Sequence, residues 1–328
     1  MRGYSYSAAG PAHEVLKFGE LEAPTAGPGE VLVQVSVSAV NPTDTKRRAD
    51  GRELGRFGTI TPNNDGSGTV VDVGEGVSKS RIGERVWLFS AQANRPNGTG
   101  AQLCKVPEKY AVPLPNETSF ETGACLGVPA VTAHRALFSD GPIQGHTVVI
   151  TGGTGRVGRY ALQIALASGA TPIVTVSTEA DRADVQTLGV EHIVMRQQED
   201  LSERVLDITN GQGAERFVDV AFGSNIDHAT RILKPNGVIT SYGSDAKLRP
   251  EFPFNDFMFR NITVRPFSIM GMPEQAKLDA FTDITSYLEA DRLNHLVARR
   301  FEFDQMVQAH ECIETGKVRG VVLVNIQD

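Results

Sequence analysis

Ile150–Ala165 reads ITGGTGRVGRYALQIA, and its Gly153, Gly155 and Gly158 reproduce the spacing G-x-G-x-x-G. Glycine accounts for 33 of the 328 residues, so this spacing also arises by chance and the flanks must decide. Before it, TVVI is an apolar run too short for a helix. After it, GRYALQIALASGA carries apolar residues at helical spacing and ends on Gly169, a residue type suited to closing a helix. A strand, a glycine turn and a helix are predicted in that order, the setting in which the spacing binds a dinucleotide. The first glycine permits the tight turn, the second lets the backbone approach a pyrophosphate, and the third allows close helix–strand packing. The open N–H groups of the helix N-terminus attract the phosphates. Arg156 is a long cation inside this turn; pointing outward, it adds positive charge beside the pyrophosphate.

The same alternation extends outward. PIVTV, EHIVM, RFVDVAF and GVITSYG are short, β-branched or aromatic runs, separated by helical stretches such as LSERVLDITNG and NIDHATRILKPNG. Strands and helices of these lengths in alternation predict a parallel sheet covered on both faces. Ahead of residue 120 the character differs: EVLVQVSVSAV, GTVVDVG, GERVWLF, AQLCKVP and YAVPLP are strand-like and joined by Gly/Pro turns. Val31, Val33, Val35 and Val37 take every second position, the period of a half-buried strand. EQAKLDAFTDITSYLEA and DQMVQAHECIETG read as amphipathic helices and VRGVVLVNI as a closing strand. Three segments result: a β-rich domain over 1–120, a nucleotide-binding domain over 121–265, and a return to the first domain over 266–328.

Composition narrows the function classes. The formal net charge of −7 supplies no general attraction to nucleic acid or anionic lipid. One basic stretch, KRRADGRELGR, has only Phe57 as an aromatic neighbour, so no nucleic-acid partner is expected. No apolar run approaches membrane-spanning length, and MRGYSYSAAG lacks the hydrophobic stretch of a signal peptide, so a cytoplasmic location is expected. Cys104, Cys125 and Cys312 lie far apart and form no C-x-x-C pair, and the seven histidines show no H-E-x-x-H. A structural zinc lobe is not expected.

The end of the strand after the glycine turn discriminates between cofactors. An acid there would hydrogen-bond the ribose of NAD and repel a 2′-phosphate. Here Ser177 and Thr178 stand at that point, with Glu179 next and Arg182 following. Two hydroxyls and a cation favour the 2′-phosphate of NADPH, with Glu179 as the opposing charge; alternatively, Ser177 and Thr178 cap the next helix.

VSAVNPTDTKRRADG, TPNNDGSGTVVDVGEGV, GERVW, LGVPAVTAHRAL, ITGGTGRVGRYALQIA and GKVRGVVLV, in this order and spacing, resemble the medium-chain dehydrogenase/reductases. Within that superfamily the likeness is to the zinc-free quinone oxidoreductase, or zeta-crystallin, branch, and it covers nearly the whole chain. The resemblance implies an α/β fold, with a Rossmann-type doubly wound parallel sheet beside a GroES-like β-rich catalytic domain. Where zinc-dependent relatives carry their ligands, this chain has Asn41, Asn64 and Val128, so no zinc is expected. Asn41 and Thr132 are implied beside the nicotinamide, with Gly153, Gly155, Arg156, Val157 and Gly158 at the pyrophosphate. Ser177 and Arg182 are implied at the 2′-phosphate, with the Thr178 hydroxyl beside them, and Gly243 and Phe267 further round the cofactor. Arg196 stands where relatives often place a Tyr beside the adenosine phosphate, and either clamps the 2′-phosphate or is a solvated surface residue. Trp87 and Phe89 are candidate walls for a flat acceptor or, alternatively, core residues.

Lys46 replaces a Tyr common in the family. Either it stabilises an enolate or hydroquinone anion, or it sits with Arg47 and Arg48 on the solvent side of a short helix capped by Asn41. The activity expected is NADPH-dependent hydride transfer to a quinone, with an enone or alkenal as the close alternative. A non-catalytic, crystallin-like or sensing NADPH-binding protein is the alternative from another class. A homodimer paired along ITVRPFSI is implied as well.

Overall fold

The computed structural model describes residues 1–327. The chain divides into two compact units, Met1–Val128 with the return from His295, and Pro129–Asn294. In chain order the first unit contains β1 (Arg2–Ser5), α1 (Ala12–Val15), β2 (Lys17–Glu20), β3 (Glu30–Val40), α2 (Pro42–Asp50), α3 (Leu54–Phe57), β4 (Asp65–Val73), β5 (Arg85–Leu88), β6 (Leu103–Pro107) and β7 (Ala111–Pro113). Helix α4 (Phe120–Phe138) follows, broken at Gly127 by a non-helical backbone. The second unit holds β8 (Thr147–Ile150), α5 (Arg156–Ala167), β9 (Thr171–Val176), α6 (Glu179–Gln186), β10 (His192–Met195), α7 (Leu201–Ile208), β11 (Ala214–Asp219), α8 (Phe222–Ile232), β12 (Leu233–Ser241), α9 (Phe254–Phe259), β13 (Thr263–Pro266) and α10 (Glu274–Glu289). The return adds β14 (Val297–Phe301), α11 (Met306–Glu314) and β15 (Val321–Asn325).

The first unit is built on a seven-stranded sheet ordered β14-β15-β3-β4-β5-β7, with β6 also paired to β3. Val31, Val33 and Val35 enter a core shared with Val70, Val86, Val106, Val322 and Val324, closed by Met306, Ala309 and Ile313 of α11. Strand β3 differs from the half-buried reading, because Ser36 and Ser38 on its other face are buried too. Ser38 is tolerated there because its Oγ lies 2.7 Å from Thr99 Oγ1 and accepts from Asn63 Nδ2 at 3.0 Å, so the hydroxyl keeps partners out of water. Arg48 also departs from the solvent-side reading of α2. It is fully buried and pairs with Glu314 of α11.

The second unit is a six-stranded parallel sheet ordered β10-β9-β8-β11-β12-β13. Counted from β8 as the first strand, this is the order 3-2-1-4-5-6 of the Rossmann fold. Val149, Ile173, Val194, Phe217 and Ile239 form the middle of the core. The fold class is therefore mixed α/β, with one Rossmann-type parallel-sheet unit and one GroES-like β-rich unit. The unit extends to Asn294, beyond the 265 of the sequence division, because α10 packs within it. Ala280, Phe281 and Ile284 are buried; Asp283 Oδ2 lies 2.8 Å from His134 Nε2, and Tyr287 Oη lies 3.1 Å from Ser168 Oγ. The apolar period of that helix was legible, but nothing in it said which unit it would cover.

Candidate functional site

Successive connections in the second unit leave β8 toward opposite sides of the sheet, so the crevice above the carboxyl ends of β8 and β11 is its topological switch point. The glycine loop leaves β8 there. Gly152, just before the three glycines of the motif, carries the left-handed backbone, with φ +69°. Its N–H donates to Thr175 Oγ1 at 3.0 Å, and that of Gly153 donates to the Thr175 carbonyl at 3.0 Å. Gly153 is required by proximity, since a Cβ on it would lie 2.0 Å from Val174 Cγ1. A Cβ on Gly158 would lie 2.1 Å from the Gly152 carbonyl oxygen, so the third glycine packs the helix on its own turn. Gly155 is the N-cap of α5 and provides no side-chain acceptor. No N-cap side chain therefore competes for the N–H groups of the first turn, the setting in which a helix N-terminus accepts an anion. Arg156 and Val157, half-buried, occupy the first two helical positions.

At the carboxyl ends of β9 and β10 the two hydroxyls separate in role. Thr178 caps α6 in a capping box with Asp181: Thr178 Oγ1 donates to Asp181 Oδ2 at 2.8 Å and accepts the Asp181 N–H at 3.2 Å. Ser177 is outside that box. Its Oγ accepts from Arg196 Nε at 2.7 Å, and Arg196 N–H donates to the Val176 carbonyl at 3.0 Å. Ser177 and Arg196 thus form one pair across neighbouring strand ends. Arg182 is exposed on α6, and Glu179 is exposed at its first turn.

On the other side of the switch point, Thr151 Oγ1 donates to Asp219 Oδ1 at 2.8 Å and accepts the Val220 N–H at 3.0 Å. Asn225 Nδ2 also donates to Asp219 Oδ1, at 2.6 Å. Burial raises the Asp219 pKa, while the Asn225 and Thr151 hydrogen bonds oppose the shift. Gly243 follows β12, and a Cβ there would lie 2.6 Å from the Val220 carbonyl. Phe267 is half-buried against Tyr242, with ring centroids 6.4 Å apart. Thr132 is buried on α4. The Thr151–Asp219 link was missed by sequence reasoning; an acid ending a β-branched strand was the only signal.

In the first unit Asn41 follows β3 and stands at the N-cap position of α2, with Pro42 at the first helical position. Around it lies a buried set of two acids and two amides. Asn41 N–H donates to Asp44 Oδ2 at 2.8 Å, Asn41 Nδ2 to Asp65 Oδ2 at 2.7 Å, and Asn64 Nδ2 to Asp44 Oδ1 at 2.5 Å. Burial pushes the Asp44 pKa up to about 6 against those hydrogen bonds. Burial first, and the neighbouring Asp44 second, hold the Asp65 carboxyl well above the usual range. Behind them, Asn63 has φ +76° and is held by fully buried His310, whose Nε2 stands 2.9 Å from Asn63 Oδ1.

Lys46 is exposed on α2. Trp87 and Phe89 lie in the core, at 0% and 1% exposure, with Phe89 edge-on to Tyr110. Neither ring offers a face to solvent. Among the described residues no group of three His, Cys, Asp or Glu side chains is placed to hold a metal ion. No helix among them is long and apolar enough to cross a membrane.

Comparison with known proteins agrees with this architecture. Residues 27–116 match the alcohol dehydrogenase GroES-like domain and residues 157–284 the nucleotide-half model described as zinc-binding dehydrogenase. The chain is similar to a quinone oxidoreductase of Rattus norvegicus, 24% identical over 315 residues that cover 95% of this chain and 94% of the other. It is similar in fold to mycobacterial Rv1454c solved in complex with NADPH, with TM-score 0.85 and 23% identity, covering 99% of this chain and 100% of that one. A trans-enoyl reductase of Gibberella fujikuroi is 35% identical over 167 residues, 48% of each chain. Both modules in this order define an oxidoreductase. The chain belongs to the medium-chain dehydrogenase/reductase superfamily, on its quinone oxidoreductase branch.

Proposed function

We propose that the protein is an NADPH-dependent reductase that delivers hydride to a quinone without a metal. The observation that carries the cofactor is the uncapped N-terminus of α5 at the switch point, with Ser177 and Arg196 joined at the adjoining strand ends. This donor set fits a dinucleotide bearing a 2′-phosphate: backbone N–H groups and Arg156 for the pyrophosphate, and Ser177, Arg196 and Arg182 for the extra phosphate. Thr178 belongs to this rim through its cap on α6. In this reading Gly153, Gly155, Val157 and Gly158 line the pyrophosphate turn, and Gly243 and Phe267 line the rest of the cofactor's path.

When bound, the nicotinamide supplies the hydride. Asn41 and Thr132 orient its ring in this reading. Lys46 offers its ammonium to the negative charge that spreads onto the acceptor's oxygen as hydride arrives. Quinones and enones need little further activation.

The donor set at the implied metal positions does not fit zinc. Asn41 and Asn64 spend their amide N–H groups on carboxylates, and Val128 offers no lone pair. The matched zinc-binding dehydrogenase model spans 157–284 and includes none of these three positions.

Quinone reduction is favoured by the full-length likeness to quinone oxidoreductases. Enone or alkenal reduction is the second reading, favoured by the half-length likeness to a trans-enoyl reductase. The test is cofactor oxidation with NADPH and NADH against a panel of quinones, enones, aldehydes and alcohols. Quinone turnover with NADPH is expected, and enone turnover alone selects the second reading. Stoichiometric NADPH binding with no turnover would replace the enzyme by a sensing or crystallin-like protein, and zinc-stimulated alcohol oxidation would overturn the metal-free chemistry.

A homodimer is part of the same proposal. Among the described residues the outer edge of β13 has no neighbouring strand in the sheet, and Phe254, Met258 and Phe259 just ahead of it are exposed. A second copy related by a twofold axis would continue the sheet and cover these rings.

A further inference from the structure

Asp65 is fully buried at the start of β4 and uses one oxygen for two bonds. Its Oδ2 accepts from Asn41 Nδ2 and from the Val128 N–H, each at 2.7 Å. Its Oδ1 has no hydrogen-bond partner and lies against Gly127, where a Cβ would stand 2.1 Å away. The Val128 N–H makes this bond just after the point where α4 is broken, at Gly127, with φ −13° and ψ −107°. A break in a helix frees backbone groups that must find partners when buried. Asp65 supplies that partner.

The same carboxyl decides how Asn41 is turned. The Asn41 amide has its nitrogen on Asp65 and its oxygen toward the Asp44 N–H in the capping box, so the two ends are not interchangeable. Nδ2 carries two protons; Asp65 takes one and thereby directs the other. An amide whose nitrogen is held by Asp65, with its oxygen turned to the capping-box side, presents that second N–H in one direction, which is what a group aligning a reacting ring requires.

We propose that Asp65 is a positioning residue of the hydride-transfer site: it orients the Asn41 carboxamide and seats the Gly127–Val128 break with the same oxygen. The role rests on the reading of Asn41 as a nicotinamide neighbour given under the proposed function. Asp65 itself touches neither cofactor nor acceptor in this scheme, and no metal enters it. Asparagine in its place keeps an oxygen able to accept both bonds, whereas alanine removes it.

Two measurements on the full chain separate this role from packing and from the proposed function. The first is the Asn41 side-chain amide pair in a 15N–1H NMR spectrum, identified by its loss in Asn41→Ala. In the wild type one proton of the pair is protected from exchange. In Asp65→Ala both move to free-carboxamide positions, and in Asp65→Asn the protection stays. An unmoved pair in Asp65→Ala overturns the proposal whatever the enzyme does, and the wild type need not turn over any acceptor for this result to be read.

The second is a kinetic cycle with NADPH and a quinone. Asp65→Ala is expected to lower kcat about tenfold with the KM for NADPH changed less than about threefold, and Asp65→Asn to stay near wild type. Asn41→Ala combined with Asp65→Ala should be no slower than Asn41→Ala alone, because the second loss acts through the first. Multiplying effects overturn the proposal. If Asp65→Ala does not fold, Asp65→Ser, whose short hydroxyl cannot take both bonds, carries the same comparisons. An inactive wild type with the expected amide shifts would remove the function reading and leave the orientation role standing.

Discussion

At Ser177 the hydroxyl accepts from Arg196 while its neighbour Thr178 is spent on a helix cap, so adjacent residues of similar chemistry have different work. The sequence brought both forward and left the cap as an alternative; only the geometry could assign it to one of them. His310 shows the limit of such reading. Its partner Asn63 is 247 residues away, and no local pattern announces that pair. Burial first and the Arg48 charge second push the His310 pKa down to about 3, below the unfolded value of about 6.5. The unfolded chain therefore takes up a proton that the folded one refuses, and stability from this group falls as pH drops from about 6.5 toward 3. The slope is at most about 1.4 kcal/mol per pH unit. Asp44, raised to about 6 by burial, acts with the opposite sign over much of the same range, so the comparison must be with a variant. His310→Gln, which keeps a donor for Asn63, is expected to flatten the acid side of the Tm–pH curve between pH 6 and 4. Parallel curves for variant and wild type would contradict it.

Among elements, β8, the glycine loop and α5 were the most legible, because the apolar period changes from strand to helix across a run of glycines. The glycine that bends the loop, Gly152, lies outside the motif, and the role of Gly158 is more local than expected. Gly158→Ala places a Cβ 2.1 Å from the Gly152 carbonyl, against backbone that cannot swing aside. Loss of about 1–3 kcal/mol of stability and weaker NADPH binding by fluorescence titration are expected together. Wild-type affinity in a stable Gly158→Ala protein would mean that the loop has slack and does not fix the anion site. Helix α10 was legible as a helix and not as part of the nucleotide unit. Its amphipathic period specifies a buried face, and only partners such as His134 say where that face goes. Trp87 and Phe89 carry the same ambiguity on a strand, since an inward aromatic can line a site or fill a core.

For the whole molecule, the change from β-rich sequence to strand–helix alternation was readable because each has its own period. The buried acids and amides around Asn41 were not, although Asn41 and Asp65 are only 24 residues apart. Isolated polar residues in β-rich sequence look like loop residues until the sheet closes over them. The proposed dimer is tested at Phe259, which is 79% exposed beside the edge strand β13. Phe259→Glu is expected to shift a dimer to monomer in light scattering after size exclusion, whereas a wild-type monomer at micromolar concentration would contradict the dimer. A 2′-phosphate-dependent reductase is tested by the ratio of kcat/KM for NADPH over NADH with one quinone, in the wild type and in Arg196→Ala. A preference for NADPH of at least about tenfold, reduced about five- to tenfold in the variant with NADH rates unchanged, is expected for a charge-assisted contact at a partly exposed site. A wild-type preference for NADH, or a ratio that Arg196→Ala does not move, would contradict the account.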